Sequence, residues 1–197
     1  MSNFEYIIAS LPYLTADFKY PDQAGFNSVI SDIKRDLDDH DSELVEFLLK
    51  GFSDKGLDAD FYAEALRRRN RFIREFFSLD LGVRNTKVEY LNRKLGRPEG
   101  TDILIPDPES DSVEFEKKEE VNAILEGGDI LARERGLDDF YWKSADELTV
   151  LDVFDLDVIL AFVVKLKLVE RWLRLDEATG RELFRKLVKE IKENRKI

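Results

Sequence analysis

The 197-residue sequence predicts an all-α protein, with two helical lobes of antiparallel helices joined by a proline- and acid-rich linker. Three observations carry that expectation. Apolar residues recur at helical spacing through most of the chain. The segment Leu156 to Leu173, LDVILAFVVKLKLVERWL, is apolar on nearly every face for its first ten residues, as only a helix packed from several sides can be. The stretch Arg97 to Ser112 gathers three of the five prolines with Gly100 and a run of acids, and it breaks both patterns. The expected division is a lobe over 1–97, a linker over 98–112 and a lobe over 113–197, which also allows one compact domain.

Phe4, Tyr6 and Ile8 alternate weakly before Pro12, which suits an extended segment or a short helix. From Phe26 the period becomes helical. Val29, Ile30, Ile33 and Leu37 form a stripe that predicts a helix over 26–38, with Asn27 or Ser28 as its cap. Asp41 or Ser42 precedes Leu44, Val45, Phe47, Leu48 and Leu49, and Gly51 offers a stop, so a second helix follows. A third helix, the longest, is expected to begin after Leu57, with Asp58 and Asp60 at its positive end, where carboxylates are favoured. Its buried stripe is Tyr62, Ala65, Leu66, Phe72, Ile73, Phe76 and Phe77. The pattern resumes past Gly82, a candidate break, through Val83, Val88, Leu91 and Leu95 until Gly96 and Pro98 end it, so the two stretches form either a hairpin or one kinked rod.

Beyond the linker, Phe115 to Glu126 and Ile130 to Arg135 read as short helices divided by Gly127 and Gly128. Ser144 ahead of Glu147 reads as a cap. After the apolar strut, Asp176 should cap a final amphipathic helix that turns Leu183, Phe184, Leu187, Val188 and Ile191 inward.

Composition narrows the function. Forty-two acidic against 31 basic side chains leave a net charge of −11, which repels nucleic acid and anionic lipid at long range. The absence of cysteine removes disulfides, thiolate ligands and thiol nucleophiles, and fits a reducing compartment. The opening MSNFEYIIASLPYL has no basic leader or small-residue cleavage site and is expected to be mature protein. The longest uncharged run of the strut, Val158 to Val164, ends at Lys165, so no membrane span is expected.

Candidate chemical sites are few. Asp36 and His40 are four apart and could share a helix face, so a metal-dependent hydrolase is one alternative. A solvated acidic turn is the preferred reading, because no second histidine exists. Gly127 and Gly128 lack the third glycine and the strand of a nucleotide fingerprint, and no phosphate loop occurs. No catalytic, cofactor-binding or metal-ligating residue is assigned, and no enzyme activity or cofactor is expected. The basic run Arg67, Arg68, Arg69, Arg71 and Arg74 stands out in an acidic chain. On one continuous helix Arg67, Arg71 and Arg74 would share a face, and arginine forks suit carboxylate-rich protein surfaces.

Two segments carry a family resemblance. VILAFVVKLKLVERWLRLDEATGRELFRKLVKEI resembles the C-terminal helix pair of the V-type ATPase C subunits, the counterparts of the eukaryotic d subunits, with Lys167, Glu170, Arg171 and Arg174 at matching places. The family's asparagine beside the arginine is replaced here by the pair Arg171 and Trp172. FFSLDLGVRNTKVEYLNRKLG is similar to the family's aromatic helix, through Asp80, Asn85, Lys87, Arg93, Lys94 and Gly96. The chain also resembles a small bacterial family encoded within V-type ATPase operons. The resemblance covers about a third of the chain and implies a non-catalytic, cytoplasmic adaptor, peripheral to the membrane, that joins the rotor shaft to the proteolipid ring. The expected partner-binding residues are Arg67, Arg71, Arg74, Arg93 and Lys94. The alternative from another class is a free-standing helical protein-interaction or regulatory module.

Overall fold

The computed structural model describes residues 3–17, 26–53, 56–106 and 115–174, with the side chains of Phe26 and Asn27 excepted. Within these residues the chain forms eight helices and no strand, so it is all-α. None of these helices is long and apolar enough to cross a membrane.

Helix α1 (Phe4–Ser10) starts where the Asn3 carboxamide oxygen accepts the Tyr6 amide at 3.1 Å, and it buries Ile7 against α8. Helix α2 (Phe26–Asp36) ends two residues earlier than its stripe suggested. Asp38 takes the next cap, accepting from the Asp41 amide at 3.1 Å. Helix α3 (Asp39–Lys50) therefore begins before Asp41 and Ser42, with Asp39 and Asp41 in its positive first turn. Asp58 accepts from the Phe61 amide at 2.9 Å and caps α4 (Ala59–Arg67).

The expected helix through 58–77 with a break at Gly82 is overturned. Arg68 adopts an extended conformation, and Asn70 caps a new helix, α5 (Arg71–Leu95), by accepting the Ile73 amide at 2.8 Å. The cap wins because its oxygen satisfies an amide that no helical carbonyl can reach. Helix α5 then runs through Gly82 without interruption, since the missing side chain there makes room for a ring. A Cβ on Gly82 would stand 2.4 Å from Phe115 Cδ2. Gly96, at φ 66°, ends the helix in the left-handed region that glycine tolerates.

The described part of the expected linker, 98–106, lies against α5. Asn85 brackets Leu104, donating to its carbonyl and accepting from its amide, both at 2.9 Å, while Asn92 donates to the Thr101 carbonyl at 2.7 Å. Positions 107–112 lie outside the described residues. Helix α6 (Lys118–Leu125) falls where it was expected.

The short helix ending at Arg135 is instead a 19-residue helix, α7 (Ile130–Leu148), capped by Asp129. It passes through Gly136, where a Cβ would meet Ile124 Cγ2 at 2.8 Å, so this glycine marks a close helix crossing and not a stop. Ser144 is buried in mid-helix and caps nothing. Helix α8 (Leu156–Arg174) follows the predicted strut closely. The final helix expected after Asp176 lies outside the described residues.

Helix α8 packs against α1, α2, α3, α5 and α7. Ile159, Leu160, Val163, Val164, Leu166 and Val169 are fully buried, as an all-round apolar helix requires. The same core holds Leu44, Val45, Phe47 and Leu48 of α3 and Phe72, Ile73, Phe76 and Phe77 of α5, so segments from both sides of 98–112 share it. A smaller cluster of Val83, Tyr90, Val121, Leu125, Leu137 and Phe140 joins α5, α6 and α7. The pairings Arg71–Asp157 and Lys87–Glu134–Arg171 make α5 and α8 run in the same direction, with α7 antiparallel to both.

Candidate functional site

Two buried carboxylates, Asp138 and Glu170, lie with half-buried Asp80 where α4, α5, α7 and α8 meet. Asp80 sits in the apolar stripe of α5 and accepts two phenols, Tyr62 of α4 on Oδ2 at 2.5 Å and Tyr141 of α7 on Oδ1 at 2.6 Å. Burial, the neighbouring carboxylate and its hydrogen bond together push both phenols well above their usual range. Tyr62 is fully buried and carries the Arg84 guanidinium 5.8 Å above its ring. Both phenols therefore stay protonated and donate to one carboxylate.

Beside this trio, Asp138 of α7 is buried and held from α8. Arg171 Nη1 donates to both of its oxygens, at 2.8 and 2.9 Å, and Trp172 Nε1 donates to Oδ2 at 2.6 Å. Burial nevertheless leaves the Asp138 carboxyl above its usual range. Arg171 also pairs with Glu134, which lies 3.6 Å from Lys87 of α5. Burial would raise Glu134, but Arg171 and Lys87 outweigh it and hold the carboxyl below its usual range. Glu170, also buried, accepts from Lys167 and Arg174. A cleft of about 480 Å³ opens here, lined by Asp80, Tyr141, Lys167, Glu170, Arg171 and Arg174 among others.

Chemically this is a brace. Each carboxylate in it is occupied by donors from another helix or from the next turn, which leaves positive and negative groups matched across three helices. Six of the ten residues that carry the family resemblance lie on it. Asp80, Lys87, Lys167, Glu170, Arg171 and Arg174 belong to the brace, Asn85 holds the 98–106 segment, and Gly96 closes α5.

The five cations singled out as partner-binding do not form one surface. Arg67 ends α4, Arg71 and Arg74 begin α5, and Arg93 and Lys94 occupy its last turn. At 1.5 Å rise per residue the two groups are separated by about 30 Å along the helix. Arg71 pairs with Glu75, Asp152 and Asp157, while Arg74 donates to the carbonyls of Arg68 and Arg69. Arg93 donates to Asn122 at 3.0 Å, and Lys94 pairs with Glu126 at 3.0 Å. Four of the five thus tie α5 to its surroundings. Arg67 is exposed. His40 lies exposed in the first turn of α3, and Asp36 is engaged by Arg35.

Sequence reasoning passed over Glu134 and Asp138. Asp138 did carry a signal, since it stands between Leu137 and Phe140 on a buried stripe, as Asp80 stands between Leu79 and Leu81. A carboxylate inside an apolar run implies a donor from elsewhere in the fold.

Neither a curated protein nor a solved structure matches the chain. One family model, described as "Protein of unknown function (DUF2764)", matches residues 52–195, which takes in α4 through α8 and so every helix of the brace. The chain belongs to the family of proteins of unknown function DUF2764.

Proposed function

We infer that the protein is a non-catalytic adaptor of a V-type ATPase or ATP synthase, coupling the central rotor shaft to the proteolipid ring on the cytoplasmic face of the membrane. The observation that carries this reading is the meeting of its two resemblance-bearing segments, on α5 and α8, in one ionic brace through Glu134 and Asp138 of α7. A part that transmits torque needs elements that do not slide past one another. Helix α5 has 25 residues, about 37 Å of continuous rod. It is tied to the start of α8 by Arg71–Asp157 and toward its end by Lys87–Glu134–Arg171. Helix α8 is clamped from several sides, so a lateral load on either rod passes into the shared core.

The test is copurification. The tagged chain, recovered with mild detergent from membranes of the native cell, should bring down the shaft and ring proteins of the motor in constant ratio. Recovery without any motor component, from cells that contain the assembled enzyme, overturns the reading.

A further inference from the structure

We propose that the α7–α8 loop and the adjoining α4–α5 elbow form a preformed docking site for a protein surface that offers an apolar pocket rimmed by carboxylates. The loop places Val150, Leu151, Val153 and Phe154 in solvent, at 76%, 90%, 66% and 55% exposure. Four large apolar side chains within five residues at a surface are a liability unless something covers them. The loop is also held in place. The Thr149 hydroxyl donates to the Ala145 carbonyl at 3.0 Å and the Asp152 amide to the Thr149 carbonyl at 3.0 Å. Arg71 pairs with Asp152 at 2.6 Å, and Asn70 donates to Asp157 at 2.7 Å. The loop backbone is therefore anchored at Thr149, Asp152 and Asp157 before any partner arrives, which lowers the entropic cost of binding.

The same bonds bring the elbow alongside. There Arg67 and Arg69 are exposed, and neither has an ion pair among the described residues. These two guanidinium groups, on the segment that Asn70 and Arg71 fasten to the loop, outnumber the loop's one exposed acid, Asp155, and on a chain of net charge −11 they select a partner with carboxylates around its apolar pocket. A bilayer fits less well, because Asp152 and Asp155 lie within the apolar loop and would have to enter the lipid with it.

This site goes beyond the adaptor reading and stands apart from it. The test uses the full chain in its native cell with the photoreactive residue p-benzoyl-phenylalanine in place of Leu151, and in place of exposed Glu43 on α3 as control. Irradiation at position 151 is expected to capture one protein through a peptide that carries Asp or Glu beside apolar residues. Capture should fall about tenfold in the R67E/R69E variant, with circular dichroism unchanged. Capture confined to another copy of the chain or to lipid overturns the proposal, as does capture equal with the reversed arginines or no higher than at position 43. If the captured protein lies outside the rotary motor, the docking site stands, and the adaptor reading is decided by the copurification alone.

Discussion

Replacing Asp80 by alanine removes the acceptor of two hydrogen bonds at once, from Tyr62 at 2.5 Å and Tyr141 at 2.6 Å. Hydrogen bonds to a charged group contribute about 1.5 to 3 kcal/mol each, so the gross loss is about 3 to 6 kcal/mol. Two effects reduce it. The variant no longer has a partly buried carboxylate to desolvate, and water can reach Tyr141 from the cleft that both residues line. Tyr62 has no exposure and no such relief. We expect Asp80→Ala to lose about 2 to 4 kcal/mol in urea unfolding followed by circular dichroism, a large share of a typical domain's stability. Asp80→Asn keeps one acceptor and should lose about half as much. The decisive measurement is the cycle with Tyr62→Phe. In the wild-type background that change removes a bond and destabilises, whereas in the Asp80→Ala background it removes an unsatisfied buried hydroxyl and is neutral or stabilising. Equal effects of Tyr62→Phe in both backgrounds, or a loss below about 1 kcal/mol for Asp80→Ala, would refute the assignment.

The same trio makes an alkaline prediction. Tyr62 and Tyr141 hold their protons in the folded state beyond their ordinary value of 10.0, so above that pH the unfolded chain releases protons that the folded chain keeps. Stability should then fall with rising pH, by about 1.4 kcal/mol per pH unit for each phenol. A Tyr62→Phe/Tyr141→Phe variant should show a flatter decline of melting temperature over the same range. Gly51→Ala and Gly82→Ala should differ although both place an alanine at a close ring contact. The first drives a Cβ to 2.3 Å from Phe77, a ring boxed in by Phe47, Phe61 and Phe76, and should cost about 1 to 3 kcal/mol. The second meets the half-buried Phe115, which can swing aside, so helix propensity should bring its net effect near zero; equal melting temperatures for the two variants would contradict this. Asn70→Ala removes both the α5 cap and the bond to Asp157, and should cost about 1 to 2 kcal/mol in thermal unfolding.

The helices and their inward faces follow from the order of residues alone. Burial of one face imposes a period of 3.6, and that signal survives any arrangement of the neighbours, as Tyr62, Phe72 and Phe76 show. Where a helix breaks was decided by packing and capping. Gly82 and Gly136 look alike as local stops, yet each leaves room for a side chain from another segment, and the real break falls at the Asn70 cap. The destinations of the charges were hidden for a related reason. Arg171 finds Asp138 thirty-three residues away and Arg71 finds Asp157 eighty-six residues away, and no local window reports which carboxylate a guanidinium will meet. Side-chain pairing at such separations exists only once the chain has closed around its core, so the Asp80 trio, the brace and the partners of Arg71, Arg93 and Lys94 belong to the tertiary structure.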